Sequence, residues 1–271
     1  MGNATLDLAN MKTAPKLEDV VAAYKASTGT YKEKCWLQAY ITLLTQRNVC
    51  FTGVPGTGKT YSVCQFLDLV GMPWVRPPLH ETSSADELRG HAVQVIDETT
   101  GNTKFVTHIG SFVDAYMYGK AFIGDEFNRA SPEVHSFCFP GLDGSDITID
   151  IIGEGVRQVK MHPNFRFICM SNDDFYTFPA GLQRRFHGHV EITDLAPGLW
   201  AKIPNELKPL VRATAFHEND EQRITGAEWE LIISAARRVK DLEIAVMTVK
   251  GPAIAKEIAA QYKVRREVAQ R

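Results

Sequence analysis

The sequence predicts an α/β fold: a mostly parallel β-sheet flanked by helices, with β-hairpin insertions and a small C-terminal helical lid domain. Three observations lead to this prediction. Apolar runs that suit buried strands alternate with amphipathic stretches from residue 48 to about residue 195. A glycine-rich loop joins the first of these strands to a helix, and from about Ala196 onward only helical patterns remain. Strands that alternate with helices after such a loop are typical of a parallel sheet covered on both faces.

The loop carries the most specific signal in the chain. It follows the apolar run 48–52 and has the pattern G-x-x-x-x-G-K-[ST] of phosphate-binding loops, with the residues Gly53, Val54, Pro55, Gly56, Thr57, Gly58, Lys59 and Thr60. The glycines allow positive φ, so that consecutive N–H groups can turn toward an anion. We therefore predict that all eight residues bind a nucleotide, with Lys59 on the outer phosphates and the Thr60 hydroxyl on Mg²⁺.

The remaining elements are predicted from apolar spacing and from residues that favour helix ends and turns. Apolar residues at helical spacing predict helices over 17–27, 36–44, 61–70, 85–88 and 111–118. Short apolar runs predict sheet strands over 48–52, 74–76, 121–124, 165–170 and 190–192.

Turn and cap signals add two hairpins and three helix starts. Hairpins are expected near 93–106, with a turn at Thr100-Gly101-Asn102, and near 146–161, with a turn at Gly153-Glu154-Gly155. Helices are expected to start at Ser131-Pro132, at the capping box Thr225-Gly226-Ala227-Glu228, and at Pro252. The predicted domains are an N-terminal leader and helix (1–34), a nucleotide-binding α/β domain (35–195) and a helical lid domain (196–271).

Two acidic residues end the predicted strand 121–124. Asp125-Glu126 after an apolar strand is the Walker B pattern, in which Asp125 holds Mg²⁺ through its water shell and Glu126 polarises the attacking water. Asn172 ends the next predicted sheet strand, where its amide can hold the same water and sense the γ-phosphate. The alternative is an ordinary acidic loop.

Two adjacent arginines are candidates for a catalytic role between subunits. Arg184 and Arg185 precede Phe186, and an arginine here is predicted to reach the γ-phosphate bound to a neighbouring subunit and to stabilise transition-state charge. The alternative is a solvated basic helix end. If the first interpretation holds, the protein is active only as an assembly.

These motifs together resemble the AAA+ ATPases among P-loop NTPases of the ASCE type. The resemblance is closest to the dynein-related group, which includes MoxR-like proteins, the cobaltochelatase small ATPase subunit and the McrB GTPase. It covers roughly residues 40 to 195 and rests on three segments: Glu81–Gly90, Gly110–Gly119, and Asp125-Glu126-Phe127-Asn128-Arg129-Ala130 with Glu133 beyond.

The resemblance implies a ring, usually a hexamer, with ATP between subunits and two inserted hairpins that project toward the pore or a partner. It also implies a protein client, often with a von Willebrand factor A domain protein as partner. Arg185 best matches the position of the arginine finger, the residue that reaches the ATP bound to a neighbouring subunit, and Arg184 is the second choice. The family usually has a second sensor arginine in the helical domain. Lys250 stands at the best-matching place, Arg237 and Arg238 are other options, and this role stays unassigned.

Composition and net charge limit the kinds of partner and ligand that the sequence predicts. The 271 residues carry a formal charge of −2, which gives no global reason to expect a nucleic-acid or membrane surface. Five cysteines show no CxxC pair, and no apolar run approaches a membrane span, so the sequence predicts a cytoplasmic location. The GTP signature of the McrB branch is not recognised, so ATP with Mg²⁺ is the predicted ligand.

The function expected from the sequence is ring-forming Mg-ATP hydrolysis that remodels or activates a protein partner. One alternative is a nucleic-acid-directed motor of the same fold, such as a helicase, loader or restriction translocase. Another is a nucleotide-gated assembly scaffold with little turnover. A small-molecule kinase is disfavoured, because Asn172 and Arg185 suit the activation of water in a ring.

Overall fold

The computed structural model describes residues 6–8, 10–96, 101–217 and 219–269, with side chains up to residue 265. These residues pack into two compact units. One contains residues 39–52 and 64–190, and the other contains the described residues of 1–38, 53–63 and 191–271. Parts of the predicted leader (1–5 and 9), together with Thr100 of the first predicted hairpin turn, lie outside the described residues.

The elements follow the predicted order closely. The helices are α1 (Leu17–Ala26), α2 (Cys35–Thr45), α3 (Lys59–Leu69), α4 (Ala85–Arg89), α5 (Ser111–Tyr118), α6 (Pro132–Leu142), α7 (Ala180–Gln183), α8 (Pro197–Lys202), α9 (Lys208–Ala215), α10 (Gly226–Val239), α11 (Leu242–Lys250) and α12 (Pro252–Ala269). The strands are β1 (Asn48–Thr52), β2 (Trp74–Val75), β3 (Gly90–Ile96), β4 (Thr103–Ile109), β5 (Ala121–Asp125), β6 (Ile147–Ile151), β7 (Gly155–Val159), β8 (Arg166–Met170) and β9 (Gly188–Glu191).

The predicted sheet is confirmed. Five strands lie in the order β2-β5-β8-β1-β9, and the pairs β2–β5, β5–β8 and β1–β8 are parallel. Phe51 on β1 and Asp125 on β5 both lie opposite Met170 on β8. The carboxyl ends of the three central strands therefore meet at one edge, where open α/β sheets place their ligands.

The core of the sheet-containing unit is aromatic. Phe112 of α5 is fully buried, and its ring lies 5.2 Å from that of Phe122 on β5 and 6.2 Å from that of Phe167 on β8. Edge-on packing of this kind adds to the free energy gained from apolar burial alone. It fixes α5 against β5, which leads to Asp125 and Glu126, and β8, which leads to Asn172.

Both predicted hairpins are present in this unit. β3 pairs with β4 and β6 pairs with β7, each antiparallel. The backbone N–H of Ile152, just after β6, donates to the Thr107 hydroxyl on β4 at 2.8 Å, so the two hairpins are joined.

In the described part of the chain after β9, the regular elements are all helices, as predicted. Trp229 on α10 is fully buried, and its indole N–H donates to the Thr214 hydroxyl on α9 at 2.9 Å. Thr225 caps α10 through the predicted box with Glu228. Residues 53–63 pack with this helical segment, so the two compact units divide the chain differently from the predicted domains. The domain limits at 34 and 195 stay a prediction.

Candidate functional site

The glycine-rich loop has the backbone shape that its sequence predicts. Gly53, Gly56 and Gly58 have φ values of 139°, 76° and 86°, which glycine adopts without the steric penalty of a Cβ. α3 begins at Lys59, so the glycine-rich segment leads into the N-terminus of a helix, where the helix dipole is positive. The loop is therefore suited to an anion such as phosphate.

The Lys59 side chain is held at the loop itself. Its Nζ donates to the carbonyl oxygens of Gly53 at 2.6 Å and of Val54 at 3.0 Å, and the residue is only 8% exposed. Thr60, the second residue of α3, is half-buried. The ammonium is thus fixed where it can attract the phosphates of a nucleotide.

Two carbonyl groups of the loop accept hydrogen bonds from the C-terminal segment of the same unit. The Ala196 N–H donates to the Thr57 oxygen at 2.7 Å, and the Gly226 N–H donates to the Gly56 oxygen at 3.1 Å. A Cβ at Gly56 would lie 2.3 Å from the Cβ of Thr225, so only glycine fits at this contact. The sequence identified Thr225 as a helix cap but gave no signal that it touches the loop.

The end of β5 has an unusual backbone. Asp125 is the last residue of the strand, and Glu126 follows with φ 52°, in the left-handed region that non-glycine residues seldom adopt. The Glu126 N–H donates to the Met170 oxygen on β8 at 2.7 Å. This bond fixes the turn at the shared edge of the sheet.

Glu126 and Asn172, predicted to act on the same water, are in direct contact. Glu126 Oε1 accepts hydrogen bonds from Asn172 Nδ2 at 2.7 Å and from the Asn172 N–H at 3.2 Å. The Ser171 hydroxyl lies 3.4 Å from the other carboxylate oxygen. These donors orient a carboxylate that is only partly buried, as a general base for water requires.

Asp125 has a partner that the sequence analysis missed. Arg76 directly follows β2, and its guanidinium donates to the Asp125 carboxylate, which is about a quarter exposed. β2 lies next to β5 in the sheet, with Val75 opposite Phe122. Strand order, rather than any local motif, is the signal that identifies this neighbour.

The two candidate finger arginines differ in environment. Arg185 is 11% exposed at its side chain; it donates to the Gly181 oxygen at 2.5 Å and to the Asp143 carboxylate at 2.8 Å. Its guanidinium also lies 3.9 Å from the ring centre of Phe139. Arg184 is exposed, and among the described residues its side chain has neither a hydrogen bond nor an ion pair.

Residues 48–186, from β1 through the arginine pair, match the family model described as the AAA domain of the dynein-related subfamily. The chain belongs to this subfamily. The match covers the phosphate loop, both strand-end acids, Asn172 and the two arginines, and the predicted family is confirmed.

Solved structures resemble this AAA chain only distantly. A candidate ATPase from Cytophaga hutchinsonii ATCC 33406 is 17% identical, with TM-score 0.44, over 93% of this chain and 62% of that one. NtrX from Brucella abortus is 15% identical, with TM-score 0.46, over 90% and 53%; its ADP complex is 16% identical, with TM-score 0.47, over 83% and 49%. The chain thus spans about half to three fifths of these proteins. No curated protein matches it.

Two contacts of α6 link the turn that holds Glu126 to the turn that holds Arg185. His135 Nε2 lies 2.6 Å from the Phe127 oxygen, one residue beyond Glu126. The His135 ring stacks on Phe139, and Phe139 is the ring beneath Arg185. α6 therefore connects the Glu126 turn to the arginine turn.

An ion pair supports the Glu126 turn from the other side. Arg129 donates to both carboxylate oxygens of Asp173, and Asn128 donates to one of them at 2.8 Å. The hydrogen bond from Arg129 holds the pKa of the Asp173 carboxyl below its ordinary value. The pair ties the residue after Asn172 to the helical turn after Glu126.

The lowered pKa of Asp173 predicts a pH-dependent contribution to stability. A carboxyl with a depressed folded pKa stabilises the fold above its unfolded pKa, about 3.9, and loses that contribution as pH falls further. We expect Asp173→Asn to lower Tm at pH 7, and the difference from wild type to shrink below about pH 4. Thermal unfolding from pH 7 to pH 3 measures this. Glu206→Gln, at an exposed position, is the control, and a difference as large at pH 3 as at pH 7 contradicts the prediction.

A cavity of about 800 Å³ lies in the unit that contains the loop. Its lining includes Trp36, Leu195, Pro197 and Trp200. Ala196, which donates to the loop carbonyl of Thr57, lies between two of these residues in the sequence. The size of the cavity is in the range of small-molecule sites.

The helices of the described residues include none that is long and apolar enough to cross a membrane.

Proposed function

We propose that this AAA chain hydrolyses ATP with Mg²⁺, assembles as a ring, and uses the hydrolysis to remodel or activate a protein partner. The contact between Glu126 and Asn172 carries the proposal. A phosphate loop alone supports binding, whereas an oriented carboxylate at the sheet edge supports an attack by water.

In this mechanism the protein acts mainly through position and charge. The loop amides and Lys59 bind the β- and γ-phosphates. The Glu126 carboxylate accepts a hydrogen bond from the water and directs its oxygen toward the γ-phosphorus. Asn172 keeps that carboxylate oriented.

The donor set suits Mg²⁺, which prefers oxygen ligands and retains several waters. The Thr60 hydroxyl and the Asp125 carboxylate are hard oxygen donors, and the Asp125 side chain is about a quarter exposed. We propose that these two residues hold the ion, Asp125 through water. When bound, Mg²⁺ supplies neutralisation of phosphate charge.

The cavity lined by Trp36 and Trp200 is the proposed place for the base of the nucleotide. Trp36 and Trp200 both donate their indole N–H groups to Asp194, to its backbone oxygen at 3.0 Å and to its carboxylate at 2.8 Å. These bonds hold two aromatic rings at a cavity of suitable size.

The proposals of a ring and of a protein partner rest on the family resemblance. The exposed Arg184 supports the ring in addition. An exposed arginine after the α7 turn is available to a neighbouring subunit, whereas Arg185 is engaged within its own chain. We propose a hexamer with ATP at each interface. The proposed client is a protein, with a von Willebrand factor A domain protein as the first candidate partner.

Calorimetry and phosphate release with millimolar Mg-ATP test the proposal. Wild type is expected to bind ATP and release phosphate, and Lys59→Met to bind at least about tenfold more weakly, because it lacks the ammonium that contacts phosphate. Wild type without binding contradicts the function. Binding without phosphate release supports a scaffold, and turnover that rises steeply with added DNA or RNA at low salt supports a nucleic-acid motor.

A further inference from the structure

Lys250, which stands at the best-matching place for a second sensor, is bound within its own unit. Its Nζ lies 2.8 Å from Glu228 Oε1, and its side chain is 17% exposed. A largely buried ammonium loses much of its hydration, so the bond to a carboxylate stabilises its charge.

The second oxygen of Glu228 is bound to the residue that caps α10. Glu228 Oε2 accepts from the Thr225 N–H at 2.7 Å and from the Thr225 hydroxyl at 2.9 Å. Burial opposes the ionisation of Glu228, but the bonds from Lys250 and Thr225 hold its pKa below the ordinary value. The carboxylate thus connects the end of α11 to the start of α10.

Thr225 and the residue after it contact the phosphate loop. Gly226 N–H donates to the Gly56 oxygen at 3.1 Å, and the space where a Cβ of Gly56 would lie is filled by Thr225. A shift of Thr225 by even a fraction of an ångström therefore changes the contact with the loop.

We propose that Lys250 and Glu228 are a pair of positioning residues that set the shape of the phosphate loop through Thr225. The inference rests on the proposed function, because the loop is the proposed nucleotide site. On this account Lys250 acts from within the helical segment, through Glu228, and its effect on nucleotide binding disappears when Glu228 is removed.

The chain provides a matched control on the same helix. Lys202 and Glu230 form an ion pair of nearly the same length, 2.7 Å, but both side chains are about half exposed. Among the described residues, Glu230 has no hydrogen bond or ion pair with Thr225. Glu230→Gln removes a similar ion pair without touching the path from Lys250 to the loop.

The experiment compares Glu228→Gln, Lys250→Met, the double variant and Glu230→Gln. Binding of a fluorescent ATP analogue with Mg²⁺ gives affinities, and steady-state turnover gives KM and kcat. Amide exchange at Gly226, in protein without nucleotide, reports the bond to Gly56. We expect each single variant to weaken binding about three- to tenfold, mostly through KM, and to speed Gly226 exchange. The double variant is expected to match the singles, and Glu230→Gln to match wild type.

Two results overturn the inference. One is Glu228→Gln with affinity and Gly226 exchange like those of Glu230→Gln. The other is additive losses in the double variant, which means that Lys250 touches the nucleotide directly. Lys250→Met leaves the cap of α10 intact and gives the answer if Glu228→Gln does not fold. Wild type that binds no ATP defeats the proposed function alone, since Gly226 exchange still tests the positioning pair.

Discussion

Glu126→Gln is expected to lower kcat for ATP hydrolysis by about 10²- to 10⁴-fold, while Mg-ATP affinity stays within about threefold of wild type. The amide has nearly the shape of the carboxylate and can still accept a hydrogen bond from Asn172, which now lies 2.7 Å from Glu126 Oε1. It is neutral, however, and a poor acceptor for the proton of the attacking water.

Phosphate release measures kcat, and calorimetry measures affinity. Glu206→Gln, which replaces an exposed glutamate, is the control for loss of one negative charge. Unchanged phosphate release in Glu126→Gln contradicts the assignment of Glu126 and favours a nucleotide-gated scaffold. A variant that binds without turnover also provides a trap for the client, which a pull-down can then identify.

The second large effect on turnover is expected from a substitution of Arg184. Arg184→Ala is expected to lower kcat by about 10³-fold or more with little change in Tm, because arginine fingers contribute 10³–10⁵ to turnover and this side chain is exposed. The measurements are phosphate release at saturating ATP and thermal unfolding.

Arg185→Ala is expected to act mainly on stability. The substitution removes the bonds to Gly181 and Asp143 and the contact with Phe139, which together correspond to about 2 kcal/mol and a Tm lower by roughly 4–8 °C. Its kcat, measured well below Tm, is expected to exceed that of Arg184→Ala.

Mixed subunits distinguish a finger in trans from a local role. An Arg184→Ala subunit supplies an intact Glu126, and a Glu126→Gln subunit supplies an intact Arg184, so their mixture forms some complete interfaces. Turnover above that of either variant alone supports the ring. No recovery in the mixture contradicts a role of Arg184 in trans, and a full loss of kcat only in Arg185→Ala reverses the order of the two arginines.

Most of the fold could be predicted because its signals are local. The strand 48–52, the loop glycines and the helix after them are contiguous, so spacing and residue type are sufficient. The helix caps Ser131 and Thr225 could be predicted for the same reason, because each hydroxyl accepts a hydrogen bond from a backbone N–H only three residues ahead.

The contacts that distinguish one candidate site residue from another could not be predicted, because they join residues that are far apart in the sequence. Arg76 meets Asp125 only because β2 is placed beside β5 by the sheet order. Arg185 meets Asp143 from 42 residues away, through the packing of α6. The family resemblance favoured Arg185 for the catalytic role, and its bonds to Gly181 and Asp143 within its own chain are the reason that the expected effects favour Arg184.

The backbone conformation of Glu126 also has a consequence for how the sequence can evolve at this position. A non-glycine residue in the left-handed region costs about 1 kcal/mol or more, and glycine there carries no such penalty. The backbone conformation alone would favour glycine after Asp125, whereas the proposed catalysis requires the carboxylate. If the proposed ATP turnover were no longer selected for, glycine at this position would remove the backbone penalty at the cost of the bonds from Asn172 and Ser171.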